Sequence, residues 1–175
     1  RLTAMKPKPT DWKAPLVGRE EEQRMLVEAG RSGRPEFIAV YGRRRVGKTF
    51  LVEETFAGSF AFEHTGLARA PLAVQLRKFR ASLREFGLRD CPALGDWYSA
   101  FEELQRLLAG RPAGRKIVFI DEMPWLDTPR SNFVSALENF WNGWAARRKD
   151  VLLVVCGSAT SWIVEKVLRD KGGLH

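Results

Sequence analysis

Cysteine and histidine are nearly absent from this 175-residue chain, with two of each. Cys91 and Cys156 are too few for a disulfide framework or a metal cluster. Long apolar runs are missing too: nothing approaches the roughly 20 residues that cross a bilayer. The opening Arg1–Pro9 segment has no apolar core and does not read as a signal peptide. These absences point to a cytoplasmic protein with no membrane partner. No internal repeat or low-complexity tract stands out. Acidic residues are the scarcer charge, 21 against 29 Lys and Arg, giving a formal net charge of +8. That balance suits an anionic partner, nucleotide or nucleic acid. For DNA the support is weak, because arginines such as Arg77, Arg80, Arg84 and Arg106 scatter over helix faces as a solvated surface would. At 45% hydrophobic residues, the chain can build one domain around a real core.

The richest stretch is Gly42-Arg43-Arg44-Arg45-Val46-Gly47-Lys48-Thr49. It matches G-x-x-x-x-G-K-T, the Walker A phosphate loop. A triphosphate is a dense cluster of anionic oxygens, and glycines let successive backbone N–H groups turn inward around it. Lys48 offers a point charge to the β- and γ-phosphates, and the Thr49 hydroxyl offers a ligand to Mg²⁺. The helix that starts here adds the positive end of its dipole. Such a loop must follow a strand and open a helix. Phe37–Tyr41 is a short apolar, partly β-branched run, and Thr49–Ala57 carries Phe50, Leu51, Val52 and Phe56 as an apolar side before Gly58. Arg43-Arg44-Arg45 either strengthens the phosphate field or decorates the outer side of the loop; the second reading is favoured.

The second landmark is Ile117-Val118-Phe119-Ile120-Asp121-Glu122. A buried strand that ends in two carboxylates is the Walker B pattern. Asp121 is placed to hold Mg²⁺ through water, since that ion keeps most of its hydration shell. Glu122 is placed to orient and polarise an attacking water. A further apolar run, Val151–Val155, ends in Cys156-Gly157-Ser158. Ser158 is a candidate sensor of hydrolysis beside the γ-phosphate, or else a helix N-cap for Ser161–Leu168.

The rest of the chain reads as scaffold. Residues 1–14 form a flexible lead-in and 15–175 the core. Gly18 turns into a helix whose first turn holds Glu20, Glu21 and Glu22, with Met25 and Leu26 toward the core. Ser59–His64 alternates as a strand with Phe60 and Phe62 on one face, and lone His64 reads as a strand-end polar residue rather than a ligand. Leu72, Leu76, Phe79, Leu83 and Phe86 recur at helical spacing after Pro71. Asp96 caps a helix bearing Trp97, Phe101, Leu104, Leu107 and Leu108, and Ser131 caps one bearing Phe133, Leu137, Phe140 and Trp141. Arg147-Arg148-Lys149 is expected at that helix's end, against its dipole.

Taken together, Leu16-Val17-Gly18-Arg19-Glu20, Gly42–Thr49, Ile120–Leu126 and Val155–Trp162 resemble the AAA+-like P-loop ATPases, and more narrowly the STAND-related archaeal and bacterial ATPase family. The resemblance implies an α/β fold, a three-layer α/β/α sandwich with a mainly parallel sheet, in which an extra strand separates the Walker A and Walker B strands. It implies ATP and Mg²⁺ as ligands and adenine recognition near Val17, Gly18 and Arg19. Gly42, Arg43, Arg44, Arg45, Val46, Gly47, Lys48, Thr49 and Phe50 would hold the nucleotide, and Thr49 and Asp121 the metal. Glu122, Lys48 and Ser158 would serve hydrolysis. The guanine-specific Asn-Lys-x-Asp is absent, in agreement. Relatives continue with a fifth strand, a helical lid and further domains that find no place before His175, so the ATPase core is expected to be incomplete at its C-terminus, with the first strand at an open edge. That edge invites self-association or a partner protein. The function expected is Mg²⁺-dependent ATP hydrolysis. The alternative is a nucleotide-dependent switch or scaffold with negligible turnover, linked to DNA through domains outside this chain.

Overall fold

The computed structural model describes residues 18–158 and Trp162. The lead-in, Val17 of the expected adenine site and the helix after Ser158 (Trp162 apart) lie outside the described residues. In chain order the elements are helix α1 (Glu20–Arg31), strand β1 (Glu36–Tyr41), α2 (Lys48–Phe56), β2 (Phe60–Thr65), α3 (Leu72–Glu85), α4 (Trp97–Ala109), β3 (Lys116–Asp121), α5 (Phe133–Gly143) and β4 (Val151–Gly157).

The four strands form one parallel sheet in the order β1-β4-β3-β2. Parallel neighbours need crossover helices, and these cover both faces, so the inner strands are buried on each side. Every residue of β3 and β4 is buried. Their side chains alternate between two cores. Ile117, Phe119, Leu152, Val154 and Cys156 meet Leu26 of α1 and Leu51, Val52 and Phe56 of α2. Val118, Ile120, Val151, Leu153 and Val155 meet the aromatic helices α3, α4 and α5. The result is the expected three-layer sandwich, with β4 between the Walker A and Walker B strands. Strand β1 is at the end of the sheet, and among the described residues its outer edge is unpaired.

Several local expectations change. Phe60 and Phe62 lie on opposite faces, because the register slips between them. Phe60 stacks on Phe119 at 5.7 Å, while Phe62 packs on Phe79 at 5.1 Å. Met25 is 61% exposed and Phe50 56% exposed. Each sits three or four residues from exposed glutamates, Glu21 and Glu28 in α1 and Glu53 in α2, and so shares their outward face. Helix α5 begins after Asn132, whose φ of 55° puts it in the left-handed region, and Ser131 is buried without capping it. The basic triplet lies beyond the end of α5. Arg148 sits over the Trp144 ring at 4.7 Å and pairs with Asp150 at 2.9 Å. Asp150 also receives Lys116 at 2.6 Å, and these bonds, led by that from Arg148, hold its carboxyl down at about 2.

Asp96 caps α4 as expected. Its carboxylate accepts from the Ser99 N–H at 2.8 Å, and the Ser99 hydroxyl accepts in return from the Asp96 N–H. His64 turns inward, with Nδ1 2.9 Å from Ser82 Oγ and its ring 5.0 Å from Phe79. Burial pulls its pKa down to about 4, so the ring is neutral at pH 7.

Candidate active site

Three parallel strands end at one place. The phosphate loop leaves β1, Asp121 closes β3, and Ser158 follows β4 between them. Ligands of open α/β sheets bind at such carboxyl ends. The loop needs its glycines: φ is 150° at Gly42 and 78° at Gly47, and Arg45 also adopts a left-handed φ of 61°. Helix α2 then begins at Lys48, whose Nζ donates to the carbonyls of Gly42 at 3.1 Å and Arg43 at 2.7 Å.

Thr49 Oγ1 donates to Asp121 Oδ2 at 2.7 Å, joining the two motifs across 72 positions of sequence. Asp121 Oδ1 accepts from the Glu122 N–H at 2.8 Å. Both oxygens of this buried carboxylate are therefore aimed. Glu122 has φ 46°, an uncommon conformation for a residue with a side chain. Its carbonyl accepts from the Trp125 N–H at 3.0 Å. Its carboxylate Oε2 accepts from Ser158 Oγ at 3.3 Å. Cys156, beside Asp121, has its thiol pushed well up by burial and by that carboxylate, so it stays protonated and inert.

A hydroxyl and a carboxylate converging at this distance suit a hard, oxygen-seeking cation. Among the described residues no cluster of three His, Cys, Asp or Glu could hold a metal by itself. Thr49 and Asp121 thus fit Mg²⁺, which takes one or two protein oxygens and fills its octahedron with phosphate and water.

Two sequence-distant pieces complete the surroundings. Arg19 donates from Nη2 to the Val46 carbonyl at 2.8 Å and pairs with Glu22 at 2.8 Å, tying the start of α1 to the phosphate loop. Gly18 precedes it at φ 78° and donates its N–H to Glu20. On the other side lies a cleft of about 820 Å³, lined by Arg44, Lys48, Thr49, Glu122, Trp125 and Arg69 among others.

The sequence reading missed the clasp that shapes this cleft. Gln75 is fully buried; its amide donates to the carbonyls of Leu67 at 2.7 Å and Trp125 at 2.9 Å, and its oxygen accepts from the Leu67 N–H. A polar residue on the apolar stripe between Leu72 and Phe79 was the available signal. Gly66 is the second omission: a Cβ there would lie 2.6 Å from the Glu122 carbonyl oxygen. The favoured reading of the arginine triplet also changes, for Arg44 turns toward the strand ends. Its Nε donates to Ser158 Oγ at 3.3 Å and its guanidinium lies 5.8 Å from the Trp125 ring.

Fold and site together define a P-loop nucleotide-binding protein. Residues 15–139 match the AAA ATPase domain family, and the chain belongs to it. It is 32% identical over 163 residues to an uncharacterized protein of Methanocaldococcus jannaschii, covering 91% of this chain and 33% of that one. Among solved structures it is similar to a Walker-type ATPase of Pyrococcus abyssi, with TM-score 0.58 and 18% identity over 94% of this chain and 53% of that one. It is also similar to a chain of Drosophila ORC bound to AT-rich DNA and Cdc6, with TM-score 0.52 and 13% identity over 87% and 50%. At these identities the structural likenesses establish the fold. The chain spans a third to about half the length of these relatives. No described helix is long and apolar enough to cross a membrane.

Proposed function

We propose that this domain binds ATP with Mg²⁺ and hydrolyses its terminal phosphoanhydride. The observation that carries the reading is the 2.7 Å contact between Thr49 and Asp121, which joins the phosphate loop to the acidic strand end with Glu122 adjacent. The loop amides and Lys48 hold the phosphates. Thr49 and Asp121 hold Mg²⁺, which supplies charge neutralisation at the phosphoryl oxygens. Glu122, steadied by Ser158, accepts the proton of a water lying in line with the terminal phosphorus. Arg19 steadies the loop at Val46, and Gly18 and Arg19 border the adenine.

Titration calorimetry with ATP and Mg²⁺ tests the binding half. Lys48→Ala is expected to weaken affinity roughly 10- to 100-fold, the scale of hydrogen bonds to charged groups. Unchanged affinity in that variant would overturn the site. Phosphate release tests the other half: Glu122→Gln should abolish turnover while leaving ATP bound. Tight binding without release from the wild-type chain would assign the domain instead as a nucleotide-dependent switch.

A further inference from the structure

We propose that Arg44 is a specificity and positioning residue that reads the terminal phosphate of the nucleotide and couples it, through Ser158, to Glu122. The inference rests on the ATP-binding reading above and extends it to a residue that the Walker pattern leaves variable.

The geometry is a relay. Arg44 Nε donates to Ser158 Oγ at 3.3 Å, and Ser158 Oγ donates to Glu122 Oε2 at 3.3 Å. One hydroxyl carries one donor and two acceptor lone pairs, so Ser158 makes both bonds at once. Among the described residues, the terminal nitrogens Nη1 and Nη2 of Arg44 have no hydrogen-bond partner. A guanidinium engaged through Nε keeps a planar fork free, and that fork matches phosphoryl oxygens in a bidentate pair. Arg44 lines the cleft beside Lys48, Thr49 and Glu122, where four cations (Arg44, Arg45, Lys48 and Arg69) face one carboxylate. Such a lining favours an anion of high charge. The Trp125 face, 5.8 Å from the guanidinium, adds cation–π support to the same orientation.

The relay has a defined output. The Glu122 backbone is fixed by its bonds to Asp121 and Trp125 and by the close approach of Gly66. The direction of its side chain is the freedom that remains, and Ser158 sets it. A terminal phosphate that draws on the Arg44 fork therefore holds Ser158 and Glu122 in register, whereas a diphosphate leaves the fork unfilled.

The test compares binding of a non-hydrolysable ATP analogue, AMP-PNP, with binding of ADP, each with Mg²⁺. Wild type should favour AMP-PNP. In Arg44→Gln the AMP-PNP affinity should fall about tenfold with ADP affinity held within about twofold, as expected for loss of a charged hydrogen-bond pair. Arg44→Lys keeps the charge but not the fork and should recover only part of the preference. Arg44 is exposed, so neither change removes core packing. Phosphate release should also drop in Arg44→Gln. An AMP-PNP to ADP ratio unchanged by Arg44→Gln would overturn the proposal while leaving the ATP site standing. Binding of neither nucleotide by folded wild type would overturn both.

Discussion

The two faces of the sheet are built differently. The face under α3, α4 and α5 holds a continuous aromatic cluster: Phe62, Phe79, Trp97, Phe101, Phe133 and Phe140 meet at ring distances of 5.0–6.0 Å. The face under α1 and α2 has a smaller core, mostly Leu, Val, Ile and Phe, and it carries the phosphate loop. Its edge strand β1 is partly exposed along its length. Burial of large rings on one face supplies much of the hydrophobic stabilisation. The other face is left with short contacts and left-handed backbone at the loop. The division lets the loop end of the sheet hold unusual conformations at Arg45 and Glu122 while the aromatic face anchors the strands.

Substitutions can break this division of labour. Phe101→Ala empties a site at the centre of the aromatic cluster and should cost about 3–5 kcal/mol in urea unfolding. Nucleotide affinity of the molecules that remain folded should be unchanged, because none of these six rings lines the cleft beside the loop. A parallel loss of affinity would mean that the faces are coupled.

The same face should carry the acid sensitivity. His64 has a folded-state pKa of about 4 against an ordinary 6.5. Between those values the unfolded chain binds more protons, so stability falls as pH drops from 6.5 toward 4. The full effect is about 3 kcal/mol, because each tenfold difference in proton affinity between the folded and unfolded chains is worth about 1.4 kcal/mol. Denaturant midpoints across that window, compared with His64→Leu, measure it; a variant with the same slope would assign the sensitivity elsewhere. Asp150 acts in a lower window. Its depressed pKa contributes stability above the ordinary carboxylate value near 3.8 that is lost as pH falls through about 2.

The smallest effect belongs to the α4 capping box. Asp96→Ala should lower stability by about 1 kcal/mol, read as a shift of the thermal midpoint. Neither AMP-PNP nor ADP binding should respond, since α4 packs on the aromatic face.

Much of the fold was legible locally. The apolar runs at Phe37–Tyr41, Ile117–Ile120 and Val151–Val155 appear as strands because continuous apolar stretches suit a sheet covered on both faces. The Asp96 cap was legible because both partners sit within one turn. Phe60 and Phe62 were misread because a register slip cannot be seen in an alternating pattern. Ser131 was given the capping role by residue type, but Asn132 takes the left-handed position before α5. The clasp by Gln75 was missed because its partners, Leu67 and Trp125, come from two different loops.

By itself the sequence marked the glycine-bearing loop after β1 and the acidic end of β3, because glycine spacing, a lysine and a hydroxyl within one short turn act through local backbone geometry. It also determined that the runs Ile117–Ile120 and Val151–Val155 are buried, since a continuous apolar strand must be covered on both faces. The family resemblance already implied a strand between β1 and β3, but no pattern within the chain did; the tertiary structure places β4 there and, with it, Ser158 between the two motifs. It also brought Arg44 to a serine 114 positions away. Such contacts depend on which strands become neighbours, and strand order is fixed by how helices pack on the sheet rather than by the pattern within any one segment.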